Sequence, residues 1–512
     1  MQKLFTKCAG TVVAIALIAS PSLAGPESTY TSATSSRTFT LDEAVLTALQ
    51  RNPDILRAQQ EIKRTKGLVI EMFAAVLPHL NATADYTVTD PKLNETHGGV
   101  SIPGGGGGGG GGGSFTSSQA ERSYDIRVQA TQLVFNGGGA QAGIGAANFS
   151  HDVSFYQLRN AIDQVIATVR QQFYQALLNR ALIGVQEESV RLLESQLRDQ
   201  QNRFEAGTVP RFNVLQAQVA LSNQQPELIT ARNNYRISLL QLAKTIGLDF
   251  DPTRPENMPI TLVGELEYHP RHINLLAAIA MGKERRAFLK QQLATILSDR
   301  SQVYVALSGY FPTINIDGGY ELRSSPFTDN FNDVSKGYFY GATGSWAIFD
   351  GGATYGRVKQ ARAVLTEARI TFEDAVRQVE LEIQQAYSNL GQGSELIASQ
   401  EKNVEQAQEA LRLSTARLEA GAGTQLEVLN ARVELTRSQS TSLQALYTYD
   451  AALAEFDRVV GADTIYTPLV PDPLTPAQIQ KATGIKVTPE VISTQTRVKT
   501  ERTETRTSSY SK

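Results

Sequence analysis

The chain carries one pattern twice, 214 residues apart. Arg203-Phe204-Glu205-Ala206-Gly207 and Arg417-Leu418-Glu419-Ala420-Gly421 stand at that offset, and seven of the sixteen positions in 203–218 and 417–432 are identical. The same offset pairs Phe135-Asn136-Gly137-Gly138 with Phe349-Asp350-Gly351-Gly352, Tyr235 with Tyr449, and Ile246-Gly247 with Val460-Gly461. The register holds from 135 to 247 without a gap, which marks a rigid unit copied whole.

Within the unit the apolar residues run at helical spacing. Leu158, Ile162, Val165, Val169, Phe173 and Ala176 map onto Phe372, Val376, Val379, Ile383, Tyr387 and Leu390. Steps of three and four place each set on one stripe, as in a coiled coil. The 58 residues from Phe149 to Ala206 contain no proline and predict a rod of roughly 87 Å. Gly207 suits a left-handed helix end and Pro210 the start of a return helix reaching about Ile246, with a break expected near Pro226. An ordinary helix bundle accounts for any one stripe, but not for rods of this length.

Between the helices lie stretches with period two. Leu80, Ala82, Ala84, Tyr86 and Val88 alternate with Asn81, Thr83, Asp85 and Thr87. Tyr124, Ile126, Val128, Ala130 and Val134 alternate with Ser123, Asp125, Arg127, Gln129 and Thr131; Ile314, Ile316, Tyr320 and Leu322 with Asn315, Asp317, Glu321 and Arg323. Tyr338, Tyr340, Ala342, Trp346 and Ile348 face away from Thr343 and Ser345. Each stretch is near the ~9–11 residues of a membrane strand, with one apolar face for lipid and one polar face for a wet lumen. Tyr124, Ile126, Tyr338, Tyr340 and Trp346 are the candidate lipid-facing residues; the aromatic ones suit the lipid boundary. The alternative is a half-buried soluble sheet packed on the helices. Four strands cannot close the smallest barrels, of about eight, and edges left open in lipid strand backbone donors. Two, three or four chains sharing a barrel give eight, twelve or sixteen strands; the arithmetic does not choose.

The ends are read separately. Lys3 and Lys7, the apolar run Cys8 to Ala19 and Ser22-Leu23-Ala24 form a secretory signal over 1–24. Cys8, inside it, is the chain's one cysteine, so the mature protein has no disulfide or cysteine metal site. A linker over 25–37, a first repeat over 38–250, a linker over 251–264, a second repeat over 265–470 and a polar tail over 471–512 complete the expected organisation. The tail, with Arg497, Lys499, Arg502 and Arg506 among Thr and Ser, has the composition of a disordered segment. Ten consecutive glycines at 104–113 lie in a polar loop; no Gly-Lys-Ser/Thr follows, so a phosphate loop is not indicated. A net charge of −3 offers no basic excess for nucleic acid.

Together these residues resemble the TolC-type outer-membrane efflux and secretion family over about residues 38–463. Leu41-Asp42-Glu43-Ala44, Ala48-Leu49 and Asn52-Pro53 look like its first helix. Leu77-Pro78 and Phe311-Pro312 sit where it passes from helix to strand, and Phe-Asn/Asp-Gly-Gly where it returns. Glu-Ala-Gly followed by Val-Leu-x-Ala is similar to its periplasmic hairpin tips. The resemblance implies a mixed fold: a homotrimer with a shared twelve-stranded transmembrane antiparallel β-barrel, four strands per chain, and a long α-helical coiled-coil barrel in the periplasm. It implies an exit duct whose iris opens when a periplasmic adaptor and an inner-membrane transporter dock, with no cofactor. The adaptor-docking tips would be Arg203, Glu205, Gly207, Arg417, Glu419 and Gly421. The constriction would be built around Glu427, at the family's acidic-ring position, with Asn430 a turn further on. Family members often lock the iris with an Arg two residues after the second tip glycine and an Asp six after the first; here Gly423 and Asn213 occupy those places, so that lock is absent.

The second repeat begins at Tyr268-His269-Pro270-Arg271-His272 and lacks the first's Asn-Pro, so its leading helix is expected to be less secure. His269 and His272 flank a proline in a linker and make a poor zinc pair. Glu187-Glu188 and Glu373-Asp374 are sequence neighbours that diverge around a helix, which suits a solvated face better than acid–base catalysis. Neither a Gly-x-Ser-x-Gly elbow nor a zinc-protease motif is present. No enzymatic activity is indicated. A passive pore without a transporter and a periplasmic coiled-coil scaffold are the competing readings; cargo is not legible.

Overall fold

The computed structural model describes residues 37–90, 122–249, 260–324 and 333–462. The signal segment, the ten-glycine run and the tail from 471 lie outside the described residues, as do most of both linkers and the middle of the second strand-hairpin tip.

Strand β1 (Arg37–Phe39) pairs in parallel with β4 (Ile260–Leu262), joining the start of the first half to the approach to the second. Helix α1 (Leu41–Arg51) opens with a capping box: the Glu43 amide donates to Thr40 Oγ1, and the Thr40 amide donates to Glu43 Oε2 at 3.0 Å. Asn52 then caps α2 (Pro53–Ala74), accepting from the Asp54 amide at 2.8 Å, with Pro53 at the first helical position. Strands β2 (His79–Val88) and β3 (Arg122–Phe135) follow, then α3 (Gly139–Glu205) and α4 (Arg211–Ile246). The second half repeats this order with α5 (Leu275–Arg285), α6 (Ala287–Ser308), β5 (Thr313–Ser324), β6 (Val334–Ser345), α7 (Ala353–Glu419) and α8 (Gln425–Val460). Helices α3 and α7 each have 67 residues, and α4 and α8 each have 36. At ~1.5 Å per residue the longer pair span roughly 100 Å.

Three expectations are corrected. Helix α3 begins ten residues before Phe149, and its first turns let α6 approach closely: a side chain at Gly139 would collide with Ser308, Ala146 and Ala147 are buried, and Ser298 Oγ donates to the Ala146 carbonyl at 3.2 Å. Pro226 does not break α4. It deprives the Ser222 carbonyl of its helical donor, but both residues are exposed, so water replaces the bond. The leading helix of the second half is secure without Asn-Pro. Asn274 caps α5, and Arg286, at the α5–α6 break, takes over the anchoring role of Asn52. Asn52 Nδ2 donates to the Thr245 carbonyl at the end of α4 (2.8 Å); Arg286 Nη1 donates to the Arg458 carbonyl at the end of α8 (3.1 Å) and its Nη2 to Glu382 (2.9 Å).

Helix α3 is the spine. It packs on α4 and α8 along one half of its length, and on α2 and α6 along the other, while α7 packs on α8 and α6. The lateral order is therefore α4–α3–α8–α7 in one half and α2–α3–α6–α7 in the other. Seventeen residues of α3 are buried against nine of the equally long α7, as expected of a central and a flanking rod. The flank of α7 leaves Val364, Ile370, Leu381 and Leu413 exposed. Two cores reflect the duplication, one around Ile166, Val169, Phe173 and Leu242, the other around Val379, Ile383, Phe456 and Val459.

Candidate functional site

Two places gather the residues singled out by the sequence: the sheet and the helix tips. Strands β2-β3-β5-β6 form one antiparallel sheet in that order, and β3–β5 pairing unites the two halves. A bulge at Val134 ends the regular register of β3. The register aligns Ala82, Val128, Tyr320 and Tyr338 on one face and Thr83, Arg127, Glu321 and Gly337 on the other. In a soluble sheet the apolar face is the covered one; here Leu80, Ile126, Tyr320, Tyr338 and Tyr340 are exposed, Tyr340 by 83%. Tyr338 and Tyr340 stack at 6.4 Å on that face, and Tyr124 shares it, half-buried. Trp346 lies one residue beyond β6 and is exposed, its indole N–H donating to the Tyr310 carbonyl at 3.1 Å where α6 runs into β5.

The polar face is knitted to itself. Arg127 Nη2 meets Glu321 Oε2 at 2.9 Å. Asp317 accepts from Thr131 (2.9 Å), Thr343 (3.1 Å) and Gln129 (3.2 Å), which links three strands.

At the opposite ends of the long helices both tips close in one geometry. Gly207 has φ +72° and Gly421 φ +71°, conformations that cost a side-chain-bearing residue roughly 1–2 kcal/mol. The Thr208 amide donates to the Arg203 carbonyl and the Gly207 amide to that of Phe204, both at 2.9 Å; Ala422 and Gly421 do the same to Arg417 and Leu418. These paired bonds satisfy carbonyls that a helix end leaves orphaned. Arg203 is ion-paired with Asp199 at 3.0 Å, and Glu205 and Glu419 are exposed.

Glu427 stands in the first turn of α8. Its amide donates to Thr424 Oγ1 at 3.3 Å, and its carboxylate lies 3.8 Å from Arg417 of the preceding tip. The acid of the expected constriction thus has a cation beside it. Asn430, three residues on, is exposed, and Asn213 is half-buried. A Cβ on Gly423 would sit 3.0 Å from the Leu418 amide nitrogen, so this position crowds any side chain, the arginine of the usual lock included.

A polar seam between α3 and α8 escaped the sequence reading. Arg432 Nη1 donates to Gln196 Oε1 at 2.9 Å, and Gln200 Nε2 to Gln425 Oε1 at 3.5 Å. Gln200 is buried, and its Oε1 and the Arg432 Nε have no partner; burial pulls the Arg432 guanidinium below its ordinary pKa. The available signal was a break in the repeat: at the 214 offset Arg432 corresponds to Gln218, and Gln196 and Gln200 to Ala410 and Ser414.

Farther along the same α3–α8 contact, Asp457 binds Arg170 (3.3 Å) and Arg271 (2.6 Å), and Asp450 is buried. Burial pushes the Asp450 carboxyl up to about 7, against a weaker pull from His269, and helps push Tyr174 up to about 12. A raised folded pKa means the folded state holds a proton that the unfolded chain, near 4, has released. Stability contributed by this group is therefore lost as pH rises through 7. The thermal midpoint of the helical circular-dichroism signal is expected to fall from about pH 4 to about pH 7 and to level off above, and Asp450→Asn to flatten that slope. An unchanged slope in the variant refutes the assignment.

Among the described residues no group of three or more His, Cys, Asp or Glu could hold a metal, and no helix is long and apolar enough to cross a membrane. Glu188 pairs with Arg191 and Glu187 with Arg232, in keeping with a solvated face.

Comparison with known proteins agrees in sequence and fold. Nodulation protein T of Rhizobium leguminosarum bv. trifolii is 22% identical over 429 residues, 81% of this chain and 84% of that protein. The pyoverdine export outer membrane protein OpmQ of Pseudomonas aeruginosa is 23% identical over 404 residues, 79% of this chain and 81% of that protein. The Campylobacter jejuni CmeC outer membrane channel superposes with a TM-score of 0.71 at 15% identity, covering 88% of this chain and 90% of that one. The sequence profile of the outer membrane efflux protein family matches residues 45–248 and 279–462, most of the chain and both of its halves, so this chain belongs to that family.

Proposed function

We propose that three copies of this outer-membrane efflux channel close one twelve-stranded β-barrel and one periplasmic helical barrel, forming an exit duct. The observation that carries the reading is the inverted sheet: its apolar face is exposed, its polar face is bonded to itself, and the outer edges of β2 and β6 are unpaired among the described residues. Such edges are tolerable in lipid only if another chain pairs them. The flanking faces of α2, α4 and α7 then meet their counterparts in neighbouring copies.

The duct rests closed at its tips and opens when a periplasmic adaptor and an inner-membrane transporter engage Arg203, Glu205, Arg417 and Glu419. Opening separates α3 from α8 at the Gln196–Arg432 and Gln200–Gln425 contacts. Their unpartnered Nε and Oε1 atoms gain water on separation, which lowers the cost of parting the helices. Threefold symmetry brings three copies of Glu427 around the passage, each tempered by its own Arg417. A free-standing passive pore is the alternative, and conductance separates the two.

Purified trimers in a planar bilayer are expected to be mostly shut, with small cation-selective openings. Glu427→Gln should lower the cation preference and weaken block by multivalent cations from the periplasmic side. Persistent large conductance favours the passive pore; unchanged selectivity and block in assembled Glu427→Gln trimers place Glu427 away from the passage.

A further inference from the structure

We propose that the polar wall of the barrel carries a binding niche for small aromatic anions, built on Phe339 and Arg323. The inference rests on reading this face of the sheet as the lumen. Phe339 is the one large apolar side chain set among polar residues and glycines on the lumen face of β6, where alternation calls for a polar one. It is held there by construction. Its cross-strand partner is Gly319, which the Val128 carbonyl keeps free of a side chain, and the Phe339 ring fills that space, its Cζ 2.9 Å from where a Cβ would stand. On the other side the Arg127 guanidinium lies 5.3 Å from the ring centroid, a cation–π contact. Arg127 is in turn fixed by Glu321. A hydrophobic ring is thereby pinned against a wall that would otherwise be hydrated throughout.

Beside the ring the wall is hollow. Gly337, two residues before Phe339, has no neighbour within 4 Å of a Cβ position and leaves a gap between Phe339 and Ser335. The hollow measures about 280 Å³ and on this face is lined by Glu321, Arg323, Ser335, Gly337 and Phe339. Drug-sized ligands occupy roughly 300–1,000 Å³, so the space suits a single ring with a short substituent. Charge decides the class. The one acid of the lining, Glu321, is already taken by Arg127 at 2.9 Å, whereas Arg323 stands 3.8 Å from it with 61% of its side chain exposed. Arg323 therefore has guanidinium donors to offer, and a carboxylate accepts two of them in parallel. An aryl carboxylate stacks its ring on Phe339 and turns its carboxylate to Arg323; an aryl ammonium of the same size meets like charge. A weak site of this kind, repeated three times in a trimer, retains such cargo briefly as it leaves.

The test uses the assembled protein in detergent and 19F NMR of 4-fluorobenzoate, with 4-fluorobenzylamine as the oppositely charged probe. Line broadening is expected for the benzoate and about fivefold less for the amine. Gly337→Val fills the hollow without removing ring or charge; with Phe339→Leu and Arg323→Gln it should cut the benzoate broadening about fivefold, while Glu427→Gln leaves it unchanged. Equal broadening in the three niche variants, or equal broadening of both probes, means partition into the micelle or another site and overturns the proposal. So does the absence of broadening in well-assembled wild-type protein. Failure of the barrel reading would instead show as wild-type protein that forms no heat-labile trimer on SDS gels.

Discussion

Arginine at Ile126 or Tyr340 is expected to abolish or sharply weaken assembly, while arginine at Gln129 or Thr343 leaves it close to normal. Both pairs lie on the same strands, β3 and β6, a few residues apart, and differ chiefly in parity. An arginine on the lipid face near the midplane costs about 2–4 kcal/mol per copy, and a homotrimer carries three. Gln129 and Thr343 already donate to Asp317, so an arginine at either position arrives beside a carboxylate in water. The measurement is the temperature at which the SDS-resistant oligomer dissociates, together with recovery in the outer-membrane fraction. Equal tolerance of arginine on both faces would sink the shared barrel and favour a soluble sheet.

The second large effect is expected at the tips. Gly207→Val and Gly421→Val together should leave insertion and trimerisation intact and remove export. Each substitution forces a β-branched residue to a φ near +70°, at a cost of roughly 1–2 kcal/mol. No neighbouring atom lies within 4 Å of a Cβ at either glycine, so the strain falls on the turn and its paired carbonyl bonds rather than on packing. Arg203, Glu205, Arg417 and Glu419 ride on those last turns, and a tip that unwinds presents them wrongly to an adaptor. Export assayed in cells with wild-type levels of heat-labile oligomer is the readout. Retained export in the double variant would remove the tips from the docking surface.

How much of this was legible beforehand follows from what kind of information each feature needs. The duplication, the stripes Leu158–Ala176 and Phe372–Leu390, the alternating strands and the tip glycines are periodic or local. Sequence by itself determined them because helix and strand periods and a glycine's conformational freedom act within a few residues. Where a local rule met a distant partner, tertiary structure decided. Pro226 sits in an unbroken helix because its lost bond faces water, and Arg286 does the work of Asn52 because the end of α8 and Glu382 come within its reach. The Gln196–Arg432 and Gln200–Gln425 seam joins residues more than 220 positions apart, and Arg417 reaches Glu427 only across a closed tip. No periodicity encodes such pairs. They arise when two long rods, each specified by its own stripe, settle side by side and bring their remaining polar residues face to face.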